Sequence, residues 1–188
     1  MARGWTRWAC PAWYFEPARS PGVALPGARM SYPLLAFEKS DDPEGEWMSM
    51  GLRMKLDLAG IRISLADWQA MEPEDRVALN DAPAEAKAEV ESFAALLKQA
   101  MQSASRTCET MTAEHVGAAV NWKDSCDEPV EVTSMKADTQ SAPPWQALDR
   151  FGRYVLYSLA SRGRREKFDW AARELAAREL AARERDGR

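Results

Sequence analysis

Between Met50 and Leu79 the chain reads MGLRMKLDLAGIRISLADWQAMEPEDRVAL, and the order within this stretch limits the folds open to the whole. Leu52, Met54, Leu56 and Leu58 alternate with Arg53, Lys55 and Asp57. Ile61, Ile63 and Leu65 carry the alternation past Ala59-Gly60, which is a strand-turn-strand pattern. The same residues also set Met48, Leu52, Leu56 and Ala59 four, four and three apart, a helical stripe. Gly60 then stands at a left-handed stop, and Ile61 folds back as its apolar contact. The helix is the preferred reading, because nothing nearby offers further strands and a lone hairpin is marginal in water.

Beyond the stop, Ser64 with Asp67 three residues on is a helix N-cap signature. It predicts a short helix carrying Leu65, Trp68 and Met71 inward. Pro73 suits a first helical position, and Glu74 and Asp75 lie where the helix dipole favours negative charge. Arg76, Val77 and Leu79 complete a second short helix, giving a helical corner. Upstream, the acidic run Asp41, Asp42, Glu44 and Glu46 behind Phe37-Glu38 reads as a solvated loop.

Pro83 predicts the start of the strongest helix, reaching about Ala104. Ala86, Val90, Phe93, Leu97, Ala100, Met101 and Ala104 share its core face. Thr112 is positioned to cap a shorter helix, AEHVGAAV. The acidic run to Gln140, broken at Pro129, reads as a long connection with at most an extended piece at Val130 to Val132. From Ser141 the chain repeats itself. Ser64, Trp68, Gln69, Ala70, Arg76 and Leu79 recur 77 residues on as Ser141, Trp145, Gln146, Ala147, Arg153 and Leu156, with Met71 answered by Leu148. Two similar corners are therefore expected, each placing its tryptophan in the core. The end, AARELAARELAARERDGR, is held helical by propensity and by the pairs Glu174–Arg178 and Glu179–Arg183, and is expected to project or fray.

A length of 188 residues at 46% apolar composition suits one domain with tails. Residues 1–33 hold prolines and the tryptophans 5, 8 and 13 without a period, so a disordered extension is expected, with Met30 as an alternative start. The domain proper is expected over residues 34–175, with a helical or frayed tail at 176–188. Three scattered cysteines give no disulfide framework and point to a reducing compartment. No membrane-spanning run and no signal-peptide core stand in the chain, so a cytoplasmic location is expected.

Chemistry is mostly sought in vain. Phosphate loops, nucleophile elbows and CxxC pairs are missing from the sequence. His115 stands between Cys108 and Cys126, but intervals of seven and eleven residues match no usual zinc spacing. No catalytic, cofactor or metal residues are assigned. Arg150, Arg153, Arg162, Arg164 and Arg165 around Tyr154 and Tyr157 could touch phosphate, yet a net charge of -4 favours an ordinary exposed face. A nucleic-acid-binding or regulatory helical module is thus the alternative function, with nucleic acid an unlikely partner.

Lys55, Asp57, Gly60, Ser64, Trp68, Arg76 and Leu79 together resemble the core motif of the nitrate reductase associated protein family. Trp145, Leu148, Phe151, Arg153-Tyr154 and Leu156 are similar to that family's second motif, in the same order along the chain. The resemblance spans roughly Phe37 to Leu175. Where the family pattern carries cysteines, this chain reads Met48-Ser49-Met50 and Pro83-Ala84, so no thiol role carries over there. The resemblance implies an all-α, bacterial, cytoplasmic accessory protein. It would be a chaperone-like factor that assists folding or cofactor loading of assimilatory molybdenum nitrate reductase, binds the reductase catalytic subunit, and is no enzyme. The expected contact surface is the acidic connection from Glu109 to Asp138 with the exposed polar residues of the corners, because loose loops often carry binding.

Overall fold

The computed structural model describes residues 32–111, 122–123, 127–137, 139 and 142–186. The architecture is mainly helical. Among the described residues there are eight α-helices and one small two-stranded pairing.

The organising stretch opens as a helix. In α2 (Met50–Ala59), the Ser49 hydroxyl accepts from the Leu52 N–H at 3.1 Å, and Gly60 closes the helix at φ 65°, the left-handed stop its position predicts. The hairpin reading fails, though Ile61 does leave in extended form. β1 (Ile61–Arg62) pairs antiparallel with β2 (Glu109–Thr110), so a partner strand comes from a distant segment. α2 is buried on two sides. Met50 and Met54 join one apolar cluster, and Leu52 and Leu56 join another.

The second cluster is the corner and its cover. α3 (Leu65–Gln69) starts with a capping box in which the Ser64 hydroxyl accepts from the Asp67 N–H and the Asp67 carboxylate accepts from the Ser64 N–H. Trp68 and Met71 are buried as expected. Leu65 is not, at 39% exposure, because a helix of five residues turns only one narrow face inward. α4 (Pro73–Asp81) has Pro73 in its first turn and buries Leu79. α5 (Lys87–Ser103) packs Phe93, Leu97, Ala100 and Met101 on the corner, with Val90 and Ala104 half-buried and Ala86 exposed.

The start of α5 departs from expectation. The helix opens at Lys87, not Pro83, because the Glu89 carboxylate accepts from the N–H groups of Glu85 and Ala86 and so caps the helix one turn later.

The first cluster lies on the other side of α2. It is built from α1 (Ala36–Asp41), α6 (Val130–Lys136), a 3-10 turn (Trp145–Ala147), α7 (Arg150–Ser161) and α8 (Arg165–Asp186). One of these elements corrects the sequence reading. The segment after Pro129 is a helix with Val132 buried, not an extended piece, since Pro129 leads into a helix start and Lys136 ties its far end to the Pro143 carbonyl at 2.7 Å. The acidic run is a loop from Asp42 on, as expected, with Asp41 ending helix α1, whose Phe37 is buried in the same cluster as Phe168 and Ala171 of α8. Tyr32, just before the expected start of the domain, stacks on Phe151 at 5.1 Å.

α7 is capped by Asp149, whose carboxylate accepts from Gly152 at 2.6 Å. α8 runs unbroken to Asp186. Its Phe168, Ala171, Ala172 and Leu175 are buried, while Leu180 is 61% exposed in the part that projects.

The expected repeat is met in outline only. α4 begins at Pro73 and α7 at Arg150, 77 residues later, and Trp68, Met71 and Leu79 are buried like Trp145, Leu148 and Leu156. The leading elements differ. Trp68 lies on a capped α-helix and Trp145 on a 3-10 turn after Pro144, and the two rings belong to different clusters. Ser141, the counterpart of Ser64, lies outside the described residues, as do residues 1–31 and the helix expected after Thr112.

Candidate functional site

The polar residues of the two motifs are engaged with their own chain. Lys55 on α2 is fully buried, and its ammonium donates to the carbonyls of Leu79 at 3.1 Å and Asn80 at 2.7 Å, in the last turn of α4. It neutralises the negative end of that helix and lies 5.5 Å from the Tyr32 ring centroid and 6.0 Å from that of Phe93. Burial lowers its pKa to about 8 against the opposing pull of Asp81. Two residues on, Asp57 accepts from the Tyr154 hydroxyl at 2.9 Å, a bond that joins the first motif to the second. Burial raises the Asp57 pKa, and Tyr154, Arg162, Lys123 and Arg62 pull it back.

Most of the remaining motif residues follow suit. Gly60 supplies the left-handed turn, and its carbonyl accepts from Met111 at 2.8 Å. Ser64 caps α3, and Leu79 and Leu156 are core. Arg153 donates to the carbonyls of Leu148 at 2.6 Å and Trp122 at 3.3 Å. The Trp68 indole N–H and Arg76 Nε are buried without a hydrogen-bond partner among the described residues. Trp145 is fully buried. The structure thus disperses these ten positions through the helix contacts and does not gather them at one surface.

The basic face read from the sequence also dissolves. Arg150 pairs with Glu85 at 3.3 Å, Arg153 serves carbonyls, and Arg165 donates to the Met135 carbonyl. Tyr154 is buried and Tyr157 half-buried. Only Arg162 and Arg164 of that set stand exposed, which leaves little for a nucleic-acid backbone. The acidic connection is likewise less loose than expected, since residues 130–136 are the packed helix α6. Its 112–121 and 124–126 portions, with His115 and Cys126, lie outside the described residues. Among the described residues no group of three His, Cys, Asp or Glu comes together for a metal. No described helix is long and apolar enough to cross a membrane.

The surface with the shape of a site lies elsewhere. A cleft of about 440 Å³ opens between α1, the 42–49 loop, the start of α2 and the α7–α8 turn. Its apolar lining comes from Phe37, Met48, Met50 and Leu159, with Leu34 (45% exposed) and Trp47 (49% exposed) also part of the wall. Arg53, Arg162, Arg164 and Lys167 line it too, together with Glu38, Asp41 and Asp42.

Local chemistry holds this wall in place. The Glu38 carboxylate accepts from Leu35 at 2.9 Å and from Met50 at 2.6 Å, joining the starts of α1 and α2. Burial raises its pKa, and those two N–H groups and Arg53 oppose the rise. The Asp42 carboxylate accepts from Glu46 at 3.0 Å and Trp47 at 2.6 Å, which folds the loop so that Trp47 stands outward. Asp41 pairs with Lys167 of α8. Sequence reasoning missed this cleft. Its one sequence signal is a tryptophan at the end of a loop otherwise acidic, Asp41 to Glu46.

The family model for conserved nitrate reductase-associated proteins matches residues 34–175, which takes in the cleft, both apolar clusters and α8 as far as its last buried leucine. No curated protein and no solved structure matches the chain.

Proposed function

Because this chain belongs to the conserved nitrate reductase-associated protein family, we propose that it is a non-catalytic accessory factor for assimilatory nitrate reductase. It works in the bacterial cytoplasm, binds the catalytic subunit, and assists its folding or its loading with the molybdenum cofactor. The observation that carries this reading is the family match over the whole helical body, residues 34–175.

The engagement of the motif residues supports it. Lys55, Asp57 and Arg153, the charged groups that a reaction would recruit first, are bound to Leu79, Asn80, Tyr154, Leu148 and Trp122 of the chain itself. Groups held in that way fix helix positions and are not poised to meet a substrate. What remains outward is a cleft of mixed apolar and charged lining, the composition of a partner-binding surface.

The test is a deletion strain grown on nitrate as sole nitrogen source. Reductase activity is expected to fall while reductase transcript persists, and the purified protein is expected to co-elute with the immature catalytic subunit. Normal growth of the deletion strain on nitrate would refute this function.

A further inference from the structure

We propose that the cleft between α1, the 42–49 loop and the α7–α8 turn is the docking site for a partner segment that carries an apolar side chain beside carboxylates. The identity of that partner as nitrate reductase rests on the function proposed above; the chemistry of the segment does not. Sign of charge decides the argument. The acidic groups of the cleft are turned to internal use: Glu38 holds two backbone N–H groups, Asp42 holds two more, and Asp41 holds Lys167. Arg162 and Arg164 are exposed on the wall of the cleft. The lining sets Arg53, Arg162, Arg164 and Lys167 against Glu38, Asp41 and Asp42, a formal charge of +1 over an apolar floor, and the exposed arginines are the charges an occupant can reach.

The residue types fit that role. Half-exposed Trp47 and Leu34 offer apolar contact, and tryptophan and arginine are the side chains that most often dominate binding energy at interfaces. Arg162 and Arg164 would steer a carboxylate-bearing segment and set its register. A volume of about 440 Å³ accommodates a bulky apolar side chain with its neighbours. The chain's own first 31 residues are a poor match, since they carry Arg3, Arg7, Arg19 and Arg29 against the single acid Glu16.

The test uses the full chain, labelled with ¹⁵N, and two model peptides of equal length. One alternates Leu and Phe with Asp and Glu; the other has Lys in place of each acid. The acidic peptide is expected to shift the Trp47 indole, Met50 and Arg53 resonances, and added salt should weaken it. The lysine peptide should do neither. In Arg162→Glu/Arg164→Glu the affinity should fall at least about tenfold with an unchanged Tm. Should that variant melt early, half-exposed Trp47→Ala carries the same comparison. Equal response to both peptides, shifts that map away from the cleft, or a variant that binds like the parent overturns the proposal. So does concentration-dependent shifting without peptide, which would place a second copy there. Capture of the reductase catalytic subunit separates the two readings. If the parent and the double variant capture it equally, the accessory function stands and the cleft is not its surface. If the acidic peptide docks as described but the reductase is not captured, the cleft proposal stands and the partner is another protein.

Discussion

Lys55→Met removes the charge at the centre of the fold while keeping most of the side chain's bulk. In the unfolded chain a lysine holds its proton to about pH 10.4, whereas in the fold burial lowers the Lys55 pKa to about 8. Between these values the unfolded chain binds more protons than the folded one, so stability rises with pH. Below about pH 8 the fold carries the whole penalty of a buried ammonium. Above it, a neutral amine still has two hydrogens for the carbonyls of Leu79 and Asn80, and the penalty is relieved. From pH 7 to about pH 9.5 the relief amounts to about 2 kcal/mol.

The methionine variant has no such gain and leaves two carbonyls of α4 without their donor, so it should be less stable than the parent by about 2–4 kcal/mol at pH 7. The gap between parent and variant should then widen by about 2 kcal/mol at about pH 9.5. Urea unfolding followed by far-UV circular dichroism at the two pH values measures both gaps. The range stops short of half-buried Tyr32 and buried Tyr154, whose pKa values are raised by burial and whose ionisation in the unfolded chain would lower stability above about pH 10. A gap that stays flat or narrows with pH would refute the account of Lys55 as a sequestered helix cap.

Three further outcomes follow from the packing. Tyr154→Phe deletes the donor to Asp57 and should destabilise by about 1–3 kcal/mol. Because burial already holds the Asp57 pKa above its unfolded value, stability falls as pH rises through that window, and pH-dependent melting should show a larger fall in the variant. Trp68→Ala and Trp145→Ala should each cost about 3–5 kcal/mol in chemical unfolding, since both rings are buried. Gly51→Ala gains about 1 kcal/mol of helix propensity, but its Cβ would lie 2.8 Å from the Tyr32 Cβ. A lower Tm is expected, and a higher one would show that the Tyr32 backbone yields freely.

The sequence showed most clearly those parts whose signal is local. Gly60, Ser64 with Asp67, and Pro73 each mark a helix end through chemistry confined to a few neighbouring residues, and each does so in the fold. Errors arose where a distant or competing group decides the outcome. Pro83 reads as a first helical residue until the Glu89 carboxylate takes the N–H groups of Glu85 and Ala86. The residues from Val130 read as extended because β-branched types cluster there, yet Val132 is drawn into a helix by burial in the cluster that also holds Trp145 and α7. The cleft was hidden for the same reason. Most of its lining comes from residues 34–53, but it is closed only by Asn80 and by residues 159–167 far along the chain, so no window of sequence contains it.

The ambiguity of Met50 to Leu58 has a different origin, and it explains why this stretch organises the rest. A helix buried on one face shows a period near 3.6, but α2 is buried on two, with Met50 and Met54 facing one cluster and Leu52 and Leu56 the other. Two stripes, each of period four and offset by two residues, sum to an apolar residue at every second position, which is the pattern of a strand. Of the charged residues between them, Lys55 is fully buried and Asp57 half-buried. Lys55 meets the carbonyl end of α4 on the side of the second cluster, and Asp57 meets Tyr154 of α7 on the side of the first. Each charge is matched to one neighbour, so exchanging Lys55 with Asp57 would set a carboxylate against the carbonyls of Leu79 and Asn80. The doubled variant would therefore fail to fold although its composition and alternation are unchanged, and this requirement for sign at each position is what distinguishes a shared wall between two cores from a strand of the same pattern.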